Sequence, residues 1–288
     1  MKFRKLYALL ALFVLFGGAP AAFAHGGGQL EITFFNVGAG DCILLRQGEH
    51  SMMIDTGYEA TEPAVAASLD AMGVKSLDCL LLTHYDEDHV GGAPGLLASF
   101  DVGEVYGPDY HGKSREYQNY EAALKTSGVR STILKKEASF TVGSLDVVLY
   151  PPQKRPGMVP NEYSVFCSVT FGSRRFLFTG DALDQRMTDF AAALDGRCDF
   201  IKLPHHGMFL AKSAIFRRLL SLAKPRYGVI TNSPQFPITS DLALLLEIYR
   251  LQTLETKNGY IVVKSDGDSI EMYQPEAVSG DVPAEEEQ

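Results

Sequence analysis

The apolar run Leu80-Leu81-Leu82-Thr83 breaks off at His84-Tyr85-Asp86-Glu87-Asp88-His89, which puts four metal-competent side chains into six residues. A strand that stops abruptly in such a run delivers its ligands into one loop. Alternation sends His84, Asp86 and Asp88 in related directions, His89 opens the following helix, and Gly91-Gly92 lets backbone approach closely. A polar turn that merely caps a helix accounts for the acidic residues, which favour a helix N-terminus, but capping requires neither histidine. The same design recurs in Phe176-Leu177-Phe178-Thr179-Gly180-Asp181 and in Phe200-Ile201-Lys202-Leu203-Pro204-His205-His206-Gly207. Taken singly, Asp181 reads as a turn residue and His205-His206 as an exposed pair. Taken together, three strands that finish in Asp or His can converge at one edge of a sheet sandwich, and a shared divalent-metal centre follows.

Short apolar runs rich in β-branched and aromatic residues predict strands at 30–37, 42–46, 51–54, 77–83, 102–106, 131–134, 145–149, 165–171, 175–178, 200–203, 227–231 and 260–263. Helical spacing of apolar residues predicts helices at 63–72, 90–99, 116–127, 185–194, 213–223 and 240–251. This irregular alternation, with hairpin-like pairs in the N-terminal third and in the middle, predicts an α/β chain with two mixed sheets covered by helices. No linker divides residues 25–275, so one domain is expected there. The stretch 276–288, with Glu285, Glu286 and Glu287, has too few apolar residues to pack and is expected to be a disordered acidic tail.

At the N-terminus, Lys2, Arg4 and Lys5 precede an apolar run from Leu6 to Phe16 and a small-residue run ending in Ala22-Phe23-Ala24. The pattern reads as an export signal cleaved after Ala24, since the apolar run is short for a membrane anchor. Cleavage removes three of the 26 basic residues and none of the 35 acidic ones, which leaves a formal charge of −12 on a soluble periplasmic or secreted chain. Broad electrostatic capture of nucleic acid is disfavoured; Arg217, Arg218, Lys224 and Arg226 could make a local basic edge but read rather as a solvated helix face. Cys42, Cys79, Cys167 and Cys198 lack CxxC spacing, so no zinc ribbon is expected, and both disulfides and four buried thiols fit the pattern. His111 and His50 read as surface loop histidines, and His25 as a cleavage-site flank.

These motifs resemble the metallo-β-lactamase superfamily, whose hallmark is a strand followed by His-x-His/Asp-x-Asp-His with later Asp and His ligands. Within it the chain is similar to the hydrolase domain of ComEC-type competence proteins and their stand-alone relatives. The likeness rests on Asn36-Val37-Gly38-Ala39-Gly40-Asp41, Ile54-Asp55-Thr56-Gly57, the run from Thr83 to Gly92, Asn161 with Ser164, Thr179-Gly180-Asp181 and Pro204-His205-His206-Gly207. It implies a four-layer αββα fold with one or two metal ions at the sheet edge. By position, His84 and Asp86 would bind one ion, Asp88, His89 and His205 the other, and Asp181 would bridge them. His205 is preferred to His206 because it directly follows its strand, as His84 does. That leaves His206 for leaving-group work beside the catalytic carboxylates Asp88 and Asp181, while Asp41, Asp55, Asn161 and Ser164 orient the ligands from behind.

Two departures from the family pattern shape the expected activity. Asp86 and Asn161 stand where many members have histidine, which implies a weaker first site and shifts preference from zinc toward harder ions such as manganese. Met208 and Pro234-Gln235-Phe236-Pro237 replace the serine and Gly-His-Pro of the ComEC pattern, so the substrate rim is expected to differ. The implied reaction is hydrolysis of a phosphodiester, in a nucleic acid, nucleotide or related molecule, by a metal-activated water. Acyl hydrolysis of a lactone, thioester or β-lactam on the same site is the alternative, and the loss of histidines weighs against it. A non-catalytic metal-binding module is disfavoured because Asp88, His89 and Asp181 are all present.

Overall fold

The computed structural model describes residues 28–275, so the expected export signal and acidic tail lie outside the described residues. In chain order the strands are β1 (Leu30–Phe34), β2 (Cys42–Gln47), β3 (His50–Thr56), β4 (Ser76–Leu77), β5 (Cys79–Leu81), β6 (Asp101–Val102), β7 (Glu104–Pro108), β8 (Arg130–Leu134) and β9 (Ala138–Val142). They continue as β10 (Leu145–Tyr150), β11 (Phe166–Phe171), β12 (Arg174–Phe178), β13 (Phe200–Lys202), β14 (Tyr227–Ile230), β15 (Gln252–Glu255), β16 (Ile261–Ser265) and β17 (Ile270–Tyr273). The α-helices are α1 (Glu62–Ala71), α2 (Glu87–Val90), α3 (Ala93–Ser99), α4 (Arg115–Ser127), α5 (Asp184–Ala193), α6 (Ala214–Ala223) and α7 (Ser240–Ile248). One sheet runs β17-β16-β1-β2-β3-β5-β7-β8 and the other β15-β14-β13-β12-β11-β10-β9, with β4 and β6 paired apart from both. Each sheet joins an antiparallel half to a parallel one, the change falling at β3/β5 in the first and at β12/β13 in the second.

The two-residue period of the strands builds the layers. Ile32 and Phe34 of β1, Ile43 and Leu45 of β2 and Ile54 of β3 face Cys167 and Val169 of β11 and Phe176 and Phe178 of β12 across the sandwich. Phe34 sits at its centre, 6.3 Å from the Phe178 ring and 5.7 Å from that of Phe200. The intervening residues point outward. Leu44 and Met53 pack beneath α1, α3 and α4 with Leu69, Leu96 and Tyr120, while Leu177 and Ile201 pack beneath α5, α6 and α7 with Phe190, Phe216 and Leu245. A strand slipped by one residue would exchange these two sets, so burial on both faces pins the register. The result is the expected four-layer αββα sandwich.

The differences from the sequence reading lie at the edges. Strands β9, β15 and β17 were not expected; each is an outermost strand of its sheet and only partly buried, so its apolar signal is diluted. The helix expected at 90–99 begins earlier and divides into α2 and α3 around Gly91-Gly92. A Cβ on Gly91 would lie 2.6 Å from the Glu59 nitrogen, and one on Gly92 2.5 Å from the Thr56 carbonyl oxygen. The two glycines therefore let the motif loop sit backbone to backbone against the end of β3. All four cysteines are free and buried.

Candidate metal centre

The change from antiparallel to parallel pairing brings strand ends of both sheets to one place. Asp41 precedes β2, Asp55 lies near the end of β3, the His84 to His89 run follows β5, Asp181 follows β12 and the histidine pair follows β13. Ligand atoms of Asp41, His89, Asp181 and His206 all lie within 4.8 Å of one another, and all four side chains are buried. Asp181 is central: its Oδ1 is 3.2 Å from His89 Nε2 and its Oδ2 3.0 Å from His206 Nε2. Asp88 Oδ2 lies 3.0 Å from His206 Nε2 and 3.5 Å from His89 Nε2. His84 packs against His89 with centroids 4.1 Å apart and 53° between the rings, and its Nε2 is 3.6 Å from Asp86 Oδ2, at the solvent side.

Behind these groups the orienting contacts are short. Asp55 Oδ2 accepts from His89 Nδ1 at 2.8 Å and from the Thr83 hydroxyl at 2.7 Å, while its Oδ1 accepts the Thr83 N–H at 2.7 Å. This holds His89 Nε2 toward the cluster. Thr231 donates to Asp41 Oδ1 at 2.6 Å, so it receives the His206 Nδ1–H at 3.1 Å. Ser164 Oγ accepts the Asp181 N–H at 3.1 Å, and Arg186 Nε donates to the Ser164 carbonyl at 2.8 Å. Asn161 lies in the turn before Ser164 and accepts its N–H through the carbonyl at 3.1 Å; its side chain has no hydrogen-bond partner among the described residues. Asp55→Ala is expected to weaken divalent-ion affinity about 10- to 100-fold, as loss of such an orienting carboxylate generally does. Competition against a chromophoric chelator measures this, and an unchanged affinity would contradict the orienting role.

The histidine pair is arranged differently from the sequence expectation. His205 and His206 both adopt left-handed backbone, φ 49° and 52°, which turns the chain so that the second imidazole, not the first, enters the cluster. His205 stays at the mouth with its side chain 17 % exposed and its Nε2 4.0 Å from Asp181. The sequence reading also passed over Lys202, which is completely buried. Its Nζ lies 2.5 Å from Asp41 Oδ2 and 3.6 Å from Asp181 Oδ1, and it donates to the Gly180 carbonyl at 3.1 Å. A lysine inside an otherwise apolar strand was the available signal. His111 and His50 are exposed and contact Tyr117 and Asp78.

Burial opposes charge on His89, His206 and Asp181, yet their mutual attraction outweighs it. Desolvation pulls His206 down, but Asp181 and the hydrogen bonds to Asp181 and Asp88 push it up to about 9. His89 is likewise raised well above its ordinary value by Asp181, Asp88 and Asp55 against burial. Burial raises Asp181, while His206, His89 and Lys202 hold it well below the usual carboxylate range. In metal-free protein the His206 contribution to stability, on the order of 3 kcal/mol, is full below about pH 6.5 and is lost as pH rises through about 9. That of Asp181 is present above about pH 3.8 and is lost as pH falls below it. The thermal midpoint of chelator-treated protein is therefore expected to be highest between about pH 4 and 6.5 and to decline toward pH 9. Calorimetric scans across that range check it, and a midpoint that stays flat above pH 6.5 would overturn the ion pairing.

Several buried polar atoms here make no hydrogen bond of good geometry: His84 Nε2, His89 Nε2, Asp181 Oδ1 and Asp41 Oδ2, of which the two carboxylate oxygens meet the Lys202 ammonium as ion pairs. Buried imidazole nitrogens left in this way are costly unless something binds them, and together with the carboxylates beside them they fit a divalent ion.

Residues 35–207, more than half of the chain, match the family model described as the metallo-beta-lactamase superfamily, and the chain belongs to that superfamily of metal-dependent hydrolases. Among characterised relatives it is similar to competence protein ComA of Neisseria gonorrhoeae, 26 % identical over 71 % of this chain and 27 % of that one. It is also similar to ComE operon protein 3 of Bacillus subtilis, 22 % identical over 80 % of this chain and 32 % of that one. The chain thus spans about a third or less of these relatives. The metallo-beta-lactamase fold protein YhfI of Bacillus subtilis shares the fold, with a TM-score of 0.57 and 16 % identity over 83 % of this chain and 100 % of that one.

Proposed function

We propose that the chain hydrolyses a phosphodiester with one or two divalent ions, zinc or manganese, held at this cluster. The donor set supports the reading most: the carboxylates of Asp86, Asp88 and Asp181 stand beside the imidazoles of His84, His89 and His206, an oxygen-rich mixture suited to harder ions. His84 and Asp86 would hold one ion, Asp88, His89 and His206 the other, and Asp181 would lie between them. Ions at such a centre acidify water and neutralise phosphoryl oxygens. The remaining work falls to the protein. Asp55 and Thr231 fix the two imidazoles, Asp88 orients the attacking water, and His205 at the mouth, partly exposed, takes up the proton that the water gives up and passes it to the departing oxygen. The basic, apolar and small-residue N-terminal pattern supports an exported protein that meets its substrate in the periplasm or outside the cell; among the described residues no helix is long and apolar enough to cross a membrane.

The test is elemental analysis of purified protein together with turnover of bis-p-nitrophenyl phosphate, DNA, a lactone and a thioester under zinc and under manganese. Bound metal with phosphodiester turnover is the expected result. Acyl turnover without phosphodiester turnover would overturn the substrate class, and protein that binds neither metal would overturn the reading altogether.

A further inference from the structure

Aromatic side chains flank the cluster on two sides, and none has a part in the chemistry above. On one side Phe209 is 80 % exposed and holds a left-handed backbone, φ 61°, that bulky residues rarely adopt. Its ring centroid lies 5.7 Å from that of His205, the histidine at the mouth. A strained, solvated apolar ring contributes little to the fold, and such strain concentrates where ligands bind. On the other side Tyr110 and Tyr163 stack at 4.4 Å with 21° between their planes. Tyr110 also packs against Tyr85 of the motif run, with ring centroids 5.1 Å apart. Tyr163 directly precedes Ser164, which holds the Asp181 backbone, and it lines a cleft of about 380 Å³ that mixes Lys135, Lys136 and Lys154 with Asp109, Glu137 and Asp189. Lys154 pairs with Asp109 at 3.0 Å, whereas Lys135 and Lys136 have no ion-pair partner among the described residues.

Resting on the phosphodiester reading, we propose that Phe209 and Tyr163, the latter backed by Tyr110, receive bases of a single-stranded nucleic acid on either side of the phosphodiester at Asp88 and Asp181. The overall charge agrees with this division of labour. At a formal −9 the chain lacks the broad basic surface that tracks a duplex, so affinity has to come from ring faces, the metal centre and the few lysines of the cleft. Every base has a π face, so the preference is for unpaired bases, not for a sequence. In a duplex those faces are already stacked on one another.

Thymidine 5′-p-nitrophenyl phosphate and methyl p-nitrophenyl phosphate present the same scissile bond with and without a base. The wild type is expected to favour the first by about tenfold in kcat/KM, mostly through KM. Phe209→Gly, which suits the backbone and removes the ring, or Tyr163→Leu, which keeps an apolar contact for Tyr110, should reduce that preference, whichever lies on the nucleoside side, since the single thymine occupies one side of the phosphate. No preference in the wild type, or one that survives in both variants, overturns the inference. If neither ester turns over, the phosphodiester reading fails by itself. Calorimetric binding of tetrathymidylate against the same backbone without bases then decides: tighter binding of the base-bearing strand that weakens in Phe209→Gly supports the inference, and equal affinities or no binding overturn it.

Discussion

Asp181→Asn is expected to lose at least about a hundredfold in kcat and to bind less than the full complement of metal, with the fold retained. The two oxygens of Asp181 face different imidazoles, 3.2 Å from His89 and 3.0 Å from His206. An amide keeps one of these oxygens and presents N–H groups in place of the other, and an N–H cannot bind a cation. The variant therefore loses one charge and one of the two oxygens that would hold metal, while its volume and the Ser164 contact to its backbone are preserved. Removing a single preorganised electrostatic contact from an active site commonly costs 10²- to 10³-fold. Elemental analysis and steady-state kinetics read the two effects separately. Wild-type metal content with wild-type turnover would place the chemistry elsewhere.

Legibility in the sequence followed the range of each interaction. The ligand run after β5 could be read because strand periodicity and donor types are local, and Asp181 and the histidine pair repeat that pattern. The choice between His205 and His206 was not local. It turns on two successive left-handed residues, a conformation that costs roughly 1–2 kcal/mol each and that tertiary contacts such as Thr231 to His206 have to hold. Thr231 itself reaches Asp41 across 190 positions of sequence, and nothing near either residue announces the contact. The αββα layering was readable from the central strands, which are apolar on both faces. Strands β9, β15 and β17 were not, because an outermost strand with one solvated side mixes polar and apolar residues as a loop does.

The same distinction explains Lys202, whose removal should have the largest effect on stability. Its ammonium group is fully buried between Asp41 and Asp181; burial lowers its pKa, but the two carboxylates raise it further, so it stays charged. Lys202→Met keeps much of the aliphatic length and deletes the charge, leaving two buried carboxylates without their common cation. Breaking a buried pair from one side costs about 3–5 kcal/mol, or roughly 10 °C in the thermal midpoint of a chain this size. Divalent ions at the cluster would supply positive charge beside Asp181, so the loss should be smaller in metal-loaded than in chelator-treated protein. Arginine is not expected to substitute, since its planar guanidinium is larger than the ammonium that is fully buried there and cannot act as a compact point charge. Paired melting curves of wild type, Lys202→Met and Lys202→Arg, each with and without zinc or manganese, measure the difference. An equal drop in both conditions would mean that Lys202 supports the sandwich independently of the metal centre, and no drop would mean that its buried ion pairs do not hold the fold.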